Sequence, residues 1–170
     1  MARYKSWSNL RKQLNGMLCE ELRGRVDYFL TYYREVHNSY GRAAIRLDGR
    51  ELCAFSWTDM YAQDRDVDAL WRETGVWDSS APELREKWDR GCVYCEKDFT
   101  GAATEYLNMS VDEALGSSDM IIRCLAVMDR RVGKRTLRKI RDSGEYLTLP
   151  DWVRQFYELR LNIKNDSAHS

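Results

Sequence analysis

The change of hydrophobic period at Gly24 constrains the fold of this chain more than any other feature. Before it, Trp7, Leu10, Leu14, Met17, Leu18 and Leu22 recur at helical spacing, and Ser6 or Ser8 offers an N-cap. After it, Val26, Tyr28, Leu30 and Tyr32 alternate with Asp27, Phe29, Thr31 and Tyr33, and these β-branched and aromatic types suit a pleated surface. The spacing predicts one helix running to Gly24 and then a strand. Turn chemistry at His37-Asn38-Ser39-Tyr40-Gly41 leads to a second strand, Ala43 to Leu47. Asp48-Gly49 is a two-residue hairpin signal into a third strand, Glu51 to Trp57. The expectation is an antiparallel meander from Arg25 to Trp57, paired in sequence order.

From Thr58 onward the pattern is helical. Thr58 is placed to cap a helix carrying Tyr61, Val67, Leu70 and Trp71, and Ser80 with Pro82 opens another with Leu84 and Trp88 that Gly91 interrupts. Phe99, Ala103, Tyr106 and Leu107 mark a further helix, followed by a Ser110–Glu113 capping box. Ser118 starts a helix through Ile121, Ile122, Leu125 and Met128. Gly133 either bends it or separates it from a segment ending near Arg141, where Asp142-Ser143-Gly144 breaks the chain. Pro150 and Asp151 open the last helix, with Trp152, Val153, Phe156, Tyr157 and Leu159. The expected architecture is one α+β domain over residues 1–165: an N-terminal helix, a three-stranded antiparallel meander and a mostly helical C-terminal half packed on the sheet. Residues 166–170 read as a disordered tail.

Charge narrows the classes of function. Lys+Arg and Asp+Glu are both 27, which argues against a protein that coats nucleic acid by net charge alone. No apolar run approaches the ~20 residues that span a bilayer, and the start Met1-Ala2-Arg3-Tyr4-Lys5-Ser6-Trp7 lacks the apolar core of a signal peptide. A cytoplasmic location without a membrane partner is expected. The 5 cysteines, an odd number, fit reduced thiols. Cys92-Val93-Tyr94-Cys95 has a spacing that lets two sulfurs converge on a metal, but no second close pair completes a site. The plain reading is two thiols in a helix or its terminal turn, with no metal and no cofactor. His37 in a turn beside Glu35 and His169 in the tail are weak acid–base candidates, so no catalytic residue is assigned.

Two binding surfaces remain. In the run Asp129 to Arg141, a continuous helix would align Arg131, Lys134, Arg135 and Arg138 as one basic stripe able to contact phosphates. The competing reading, favoured by the balanced charge, is a solvated or internally paired face, with Asp64-Arg65-Asp66-Val67-Asp68 as a candidate acidic partner. Gly133-Lys134 is not a Walker loop, since the required spacing and preceding strand are absent. On the sheet, Phe29 and Tyr33 with Arg46 would form an amphipathic platform for bases or a protein if the second face is open; cover by the C-terminal helices is the competing reading.

Several segments resemble a family of short uncharacterised bacterial proteins. They are Trp7-Ser8-Asn9-Leu10-Arg11-Lys12, Arg25-Val26-Asp27-Tyr28 with Thr31-Tyr32-Tyr33-Arg34, the hairpin from Gly41-Arg42-Ala43 to Asp48-Gly49, and Leu125 with Met128 to Leu137. The resemblance implies a bacterial, cytosolic, stand-alone domain and brings no activity or ligand with it. The expected function is a protein-interaction or accessory module, with a protein partner or a homodimer docking on the rings of the meander or near Trp71, Trp77 and Trp88. The alternative is a binder of nucleic acid or a phosphorylated ligand on residues 130–141. Purified protein is expected to carry no stoichiometric zinc by elemental analysis.

Overall fold

The computed structural model describes residues 6–33, 41–56, 58 and 82–163. The helix expected around Tyr61 to Trp71, the turn at 37–40, the acidic segment at 64–68, Trp57, Trp77 and the tail lie outside the described residues.

Helix α1 (Trp7–Met17) starts where the Ser6 hydroxyl accepts the Asn9 N–H at 3.2 Å. It ends earlier than its apolar pattern predicts. Leu18 turns extended and forms an antiparallel bridge with Asp129; the Cys19 N–H donates to the Met128 carbonyl at 2.9 Å and the Arg130 N–H to the Met17 carbonyl at 2.8 Å. Leu22 still reaches the core, but from a separate 3₁₀ turn, Glu20–Leu22. Distant backbone partners therefore override local helical periodicity.

Strands β1 (Val26–Tyr32), β2 (Gly41–Leu47) and β3 (Arg50–Ser56) form an antiparallel sheet in the order β1-β2-β3. The hairpin turns on Asp48 and Gly49 at φ 50° and 81°, and two positive φ values are what a twist-matched two-residue turn requires. The register pairs Tyr28 with Ile45 and Ile45 with Cys53, so these side chains share one face with Phe55. It then shifts between Ile45 and Arg46, leaving Leu52 as the extra residue of a bulge.

The C-terminal half comprises α2 (Pro82–Gly91), α3 (Glu96–Tyr106), α4 (Val111–Leu115), α5 (Met120–Val127), α6 (Lys134–Arg141), α7 (Gly144–Thr148) and α8 (Asp151–Asn162). Ser110 and Glu113 close the capping box, and Asp119, one residue beyond the expected Ser118, caps α5. The short α7 follows the expected break. The fold is α+β, with helices packed on the sheet.

Phe99 of α3 joins the layers. Its ring stacks on Phe55 at 5.2 Å and on Tyr28 at 6.3 Å, and it meets the edge of Trp7 at 6.1 Å. Behind α3 lies α5, buried from Ile121 through Val127. Helix α8 is tied across the molecule by Trp152 Nε1–H to the Asp89 carbonyl (2.6 Å) and by the Gln155 side-chain amide to the Leu52 carbonyl (2.9 Å).

Strand β2 begins with a close approach. A Cβ on Gly41 would sit 2.8 Å from Glu96 Cγ and 2.9 Å from the Thr31 carbonyl, and the backbone atom cannot swing away. Gly41→Ala is expected to lower unfolding free energy by about 1–3 kcal/mol, as overpacking does. Urea denaturation measures it, with the midpoint falling at unchanged slope.

Candidate anion-binding site

The basic run folds into a junction and not into one helix. Gly133 caps α6, so Asp129 to Val132 lie in the turn between α5 and α6. Asp129 is fully buried. Its carboxylate accepts the Tyr106 hydroxyl at 2.5 Å, the Arg131 backbone N–H at 2.7 Å, and Arg131 Nε and Nη2 at 3.0 and 2.7 Å. Burial works to raise the pKa of Asp129, but the hydrogen bonds from Arg131 and Tyr106 outweigh it and hold the group below its ordinary value.

Each residue of the expected stripe has its own place. Arg131 precedes the helix and grips Asp129. Lys134 reaches across to the Ile163 carbonyl at 2.6 Å, at the C-terminal end of α8 where a cation is favoured. Arg135 and Arg138 are exposed on α6, as is Lys139, and their side chains make no ion pair or hydrogen bond among the described residues. The structure therefore divides the run into a structural part and a solvent-facing part.

A cleft of about 560 Å³ opens where the 3₁₀ turn meets the start of α6. Arg23, Arg130, Lys134 and Arg160 line it, facing Glu20 and Glu21. Arg160 is only 3% exposed; it donates from Nε to the Val127 carbonyl at 2.9 Å and from Nη2 to the Val132 carbonyl at 2.6 Å. Its own N–H, the Cys19 thiol, and nearby Arg160 and Lys134 keep Glu21 below the usual glutamate range against the effect of burial.

On the sheet face away from Phe99, the guanidinium of Arg46 lies 4.1 Å from the Phe29 ring centroid, a cation–π contact. Glu51 joins Arg42 and Arg46 across the strands and titrates below its ordinary value, chiefly through Arg42. Phe29 and Arg46 thus come together by covering one another. Tyr33 lies just past β1, 46% exposed. The helices that pack on the sheet, α1 and α3, do so on the Tyr28 and Phe55 face. Cys92 ends up beyond α2 and Cys95 caps α3; both are free, and no group that could hold a metal ion occurs among the described residues.

A family model spans residues 6–161, nearly the whole described chain. The protein belongs to the SF0329 protein family. Neither a search of curated proteins nor one of solved structures returns a match. The SF0329 family name states no activity, so its functional reading rests on geometry. In this SF0329 chain the residues that sequence reasoning missed are Asp129, Tyr106 and Arg160. A signal for Arg160 was present: Val153, Phe156 and Tyr157 define the buried face of α8, and position 160 continues it. Asp129 directly follows the apolar run ending at Met128, a place where a carboxylate has to be met by partners.

Because the folded pKa of Asp129 lies below its ordinary 3.8, its contribution to stability is complete above that value and is lost as pH falls through the folded value. Arg131→Ala is expected to cost about 2–3 kcal/mol, less than the 3–5 of a fully buried pair because the Arg131 side chain is 40% exposed. In an Asp129→Asn background the same deletion should cost under about 1 kcal/mol. Urea titrations of the four proteins across acid pH check both statements.

Proposed function

We propose that the protein is a binding module that engages a phosphate-bearing polyanion, a nucleic acid strand, through the exposed face of α6. The observation that carries the reading is a contrast in how cations are used. Arg11, Arg46, Arg123, Arg131 and Arg154 each lie against a carboxylate. Arg135, Arg138 and Lys139 are exposed and have no such partner among the described residues. Their spacing of three and four residues sets them on one helix face, and a guanidinium matches a phosphate with two parallel donors. With formal net charge zero, attraction for a polyanion has to come from local clusters such as this face and not from the charge of the whole chain.

A second reading, docking of a protein or of another copy of the chain, is supported by Leu147, 73% exposed on α7 next to α6. Concentration-dependent sedimentation that Leu147→Asp abolishes would favour it.

For the leading reading, fluorescence anisotropy with a labelled oligonucleotide should show binding at low salt that weakens as salt rises. The Arg135→Ala/Arg138→Ala pair should flatten the logarithmic salt slope by about two units. Its melting temperature should stay near that of the parent, since solvated surface charges contribute little to stability. No association at low salt removes the reading.

A further inference from the structure

We propose that Cys92 is a site of reversible oxidation by a hydroperoxide, with Cys53 as the partner that closes a disulfide between β3 and the connection from α2 to α3. The inference stands apart from the exposed face of α6, and either can fail alone.

Sequence spacing pairs Cys92 with Cys95, but the fold pairs it elsewhere. Cys95 caps α3, where its backbone N–H donates to the Asp98 carboxylate at 2.9 Å. Cys92 turns towards β3. Its thiol meets the Ala54 carbonyl at 3.8 Å and is in hydrogen-bonding contact with the Cys53 thiol. Cys124 of α5 lies near the pair, fully buried.

The two partners differ as a reacting and a resolving thiol must. Cys92 is half-buried whereas the other four cysteines are buried, so an oxidant in solution meets Cys92 first. Burial, and then the contact with Cys92, pushes the Cys53 thiol well above its ordinary pKa, and it keeps its proton. The backbone is an independent mark. Cys92 directly follows α2 at φ 54°, a left-handed position at a helix end that glycine fills without strain, while Gly91 stands one residue earlier within the helix. A side chain is held there against a conformational cost, and what it gains is its place beside Cys53.

The chemistry balances with one peroxide. Cys92 gives up its proton and its sulfur attacks one peroxide oxygen; the O–O bond breaks, the sulfur becomes a sulfenic acid, and the other oxygen leaves with that proton as water. The Cys53 sulfur then displaces the sulfenic hydroxyl. An S–S bond forms, and the Cys53 proton departs with the hydroxyl as a second water. Two thiols are oxidised and one peroxide is reduced.

Intact-mass spectrometry of the reduced full chain, before and after a small excess of hydrogen peroxide, tests the proposal. The protein should lose two hydrogens, digestion without reductant should yield a peptide linking Cys53 to Cys92, and dithiothreitol should restore the original mass. Cys92→Gly, which also relieves the left-handed backbone, should melt no lower than the parent and should form no such link. Cys53→Ala should instead gain one oxygen at Cys92, trapped by dimedone. Cys95→Ala should leave the link intact. No loss of hydrogens, a link from Cys92 to Cys95 or Cys124, a disulfide between two copies of the chain, or an unchanged loss of hydrogens in folded Cys92→Gly overturns the proposal.

Discussion

A carboxylate removed from water is stable only when its charge is met in place, and Asp129 is the point where this protein meets that requirement. Tyr106 brings α3 to it and Arg131 folds the following turn back over it. The backbone on either side of Asp129 is taken up by Met17 and Cys19 of the N-terminal segment. One charge therefore holds three parts of the chain in register. Arg160 secures the same turn from α8 through the carbonyls of Val127 and Val132. What reads as a basic run is, at its N-terminal end, the knot of the fold.

That division of labour organises the electrostatics. Buried or half-buried arginines serve structure: Arg123 bonds the Ser117 carbonyl and Glu145, and Arg42 with Arg46 closes on Glu51 over one face of the sheet. Arg23 and Arg130, beside the cleft, and Arg135, Arg138 and Lys139, on α6, are left facing solvent. A neutral chain can thus present a local positive surface where exposed cations such as Arg135, Arg138 and Lys139 stand on one helix face without a carboxylate partner among the described residues.

Elements fixed by neighbours in sequence were legible, and those fixed by distant partners were not. Asp48-Gly49 encodes its hairpin because the turn itself demands positive φ, and Ser110 and Glu113 encode a cap because both lie within one helical turn. The end of α1 was not legible: Leu18 and Leu22 keep helical spacing, but Leu18 is claimed by Asp129. The basic stripe was misplaced for a related reason. Aligning Arg131 with Lys134, Arg135 and Arg138 assumes a helix through Gly133, whereas Asp129 draws Arg131 into a turn ahead of α6. Period-two reasoning sets Phe29 and Arg46 on one face of the sheet, whereas Tyr33 lies past the end of β1 and the stacking of Arg46 over the Phe29 ring depends on side-chain conformations that spacing does not encode.

The bridge between Leu18 and Asp129 also bears on the order of assembly. Its two halves are separated by most of the chain, including the whole sheet, so forming it closes a very long loop for a few backbone hydrogen bonds. The β2–β3 hairpin and the packing of α5 against neighbouring helices involve far shorter closures and are favoured earlier. Closing this bridge is therefore the most entropically demanding of the three contacts. The 3₁₀ turn next to that bridge forms one wall of the cleft and the start of α6 the other, so the cleft exists only where the two distant segments are held together.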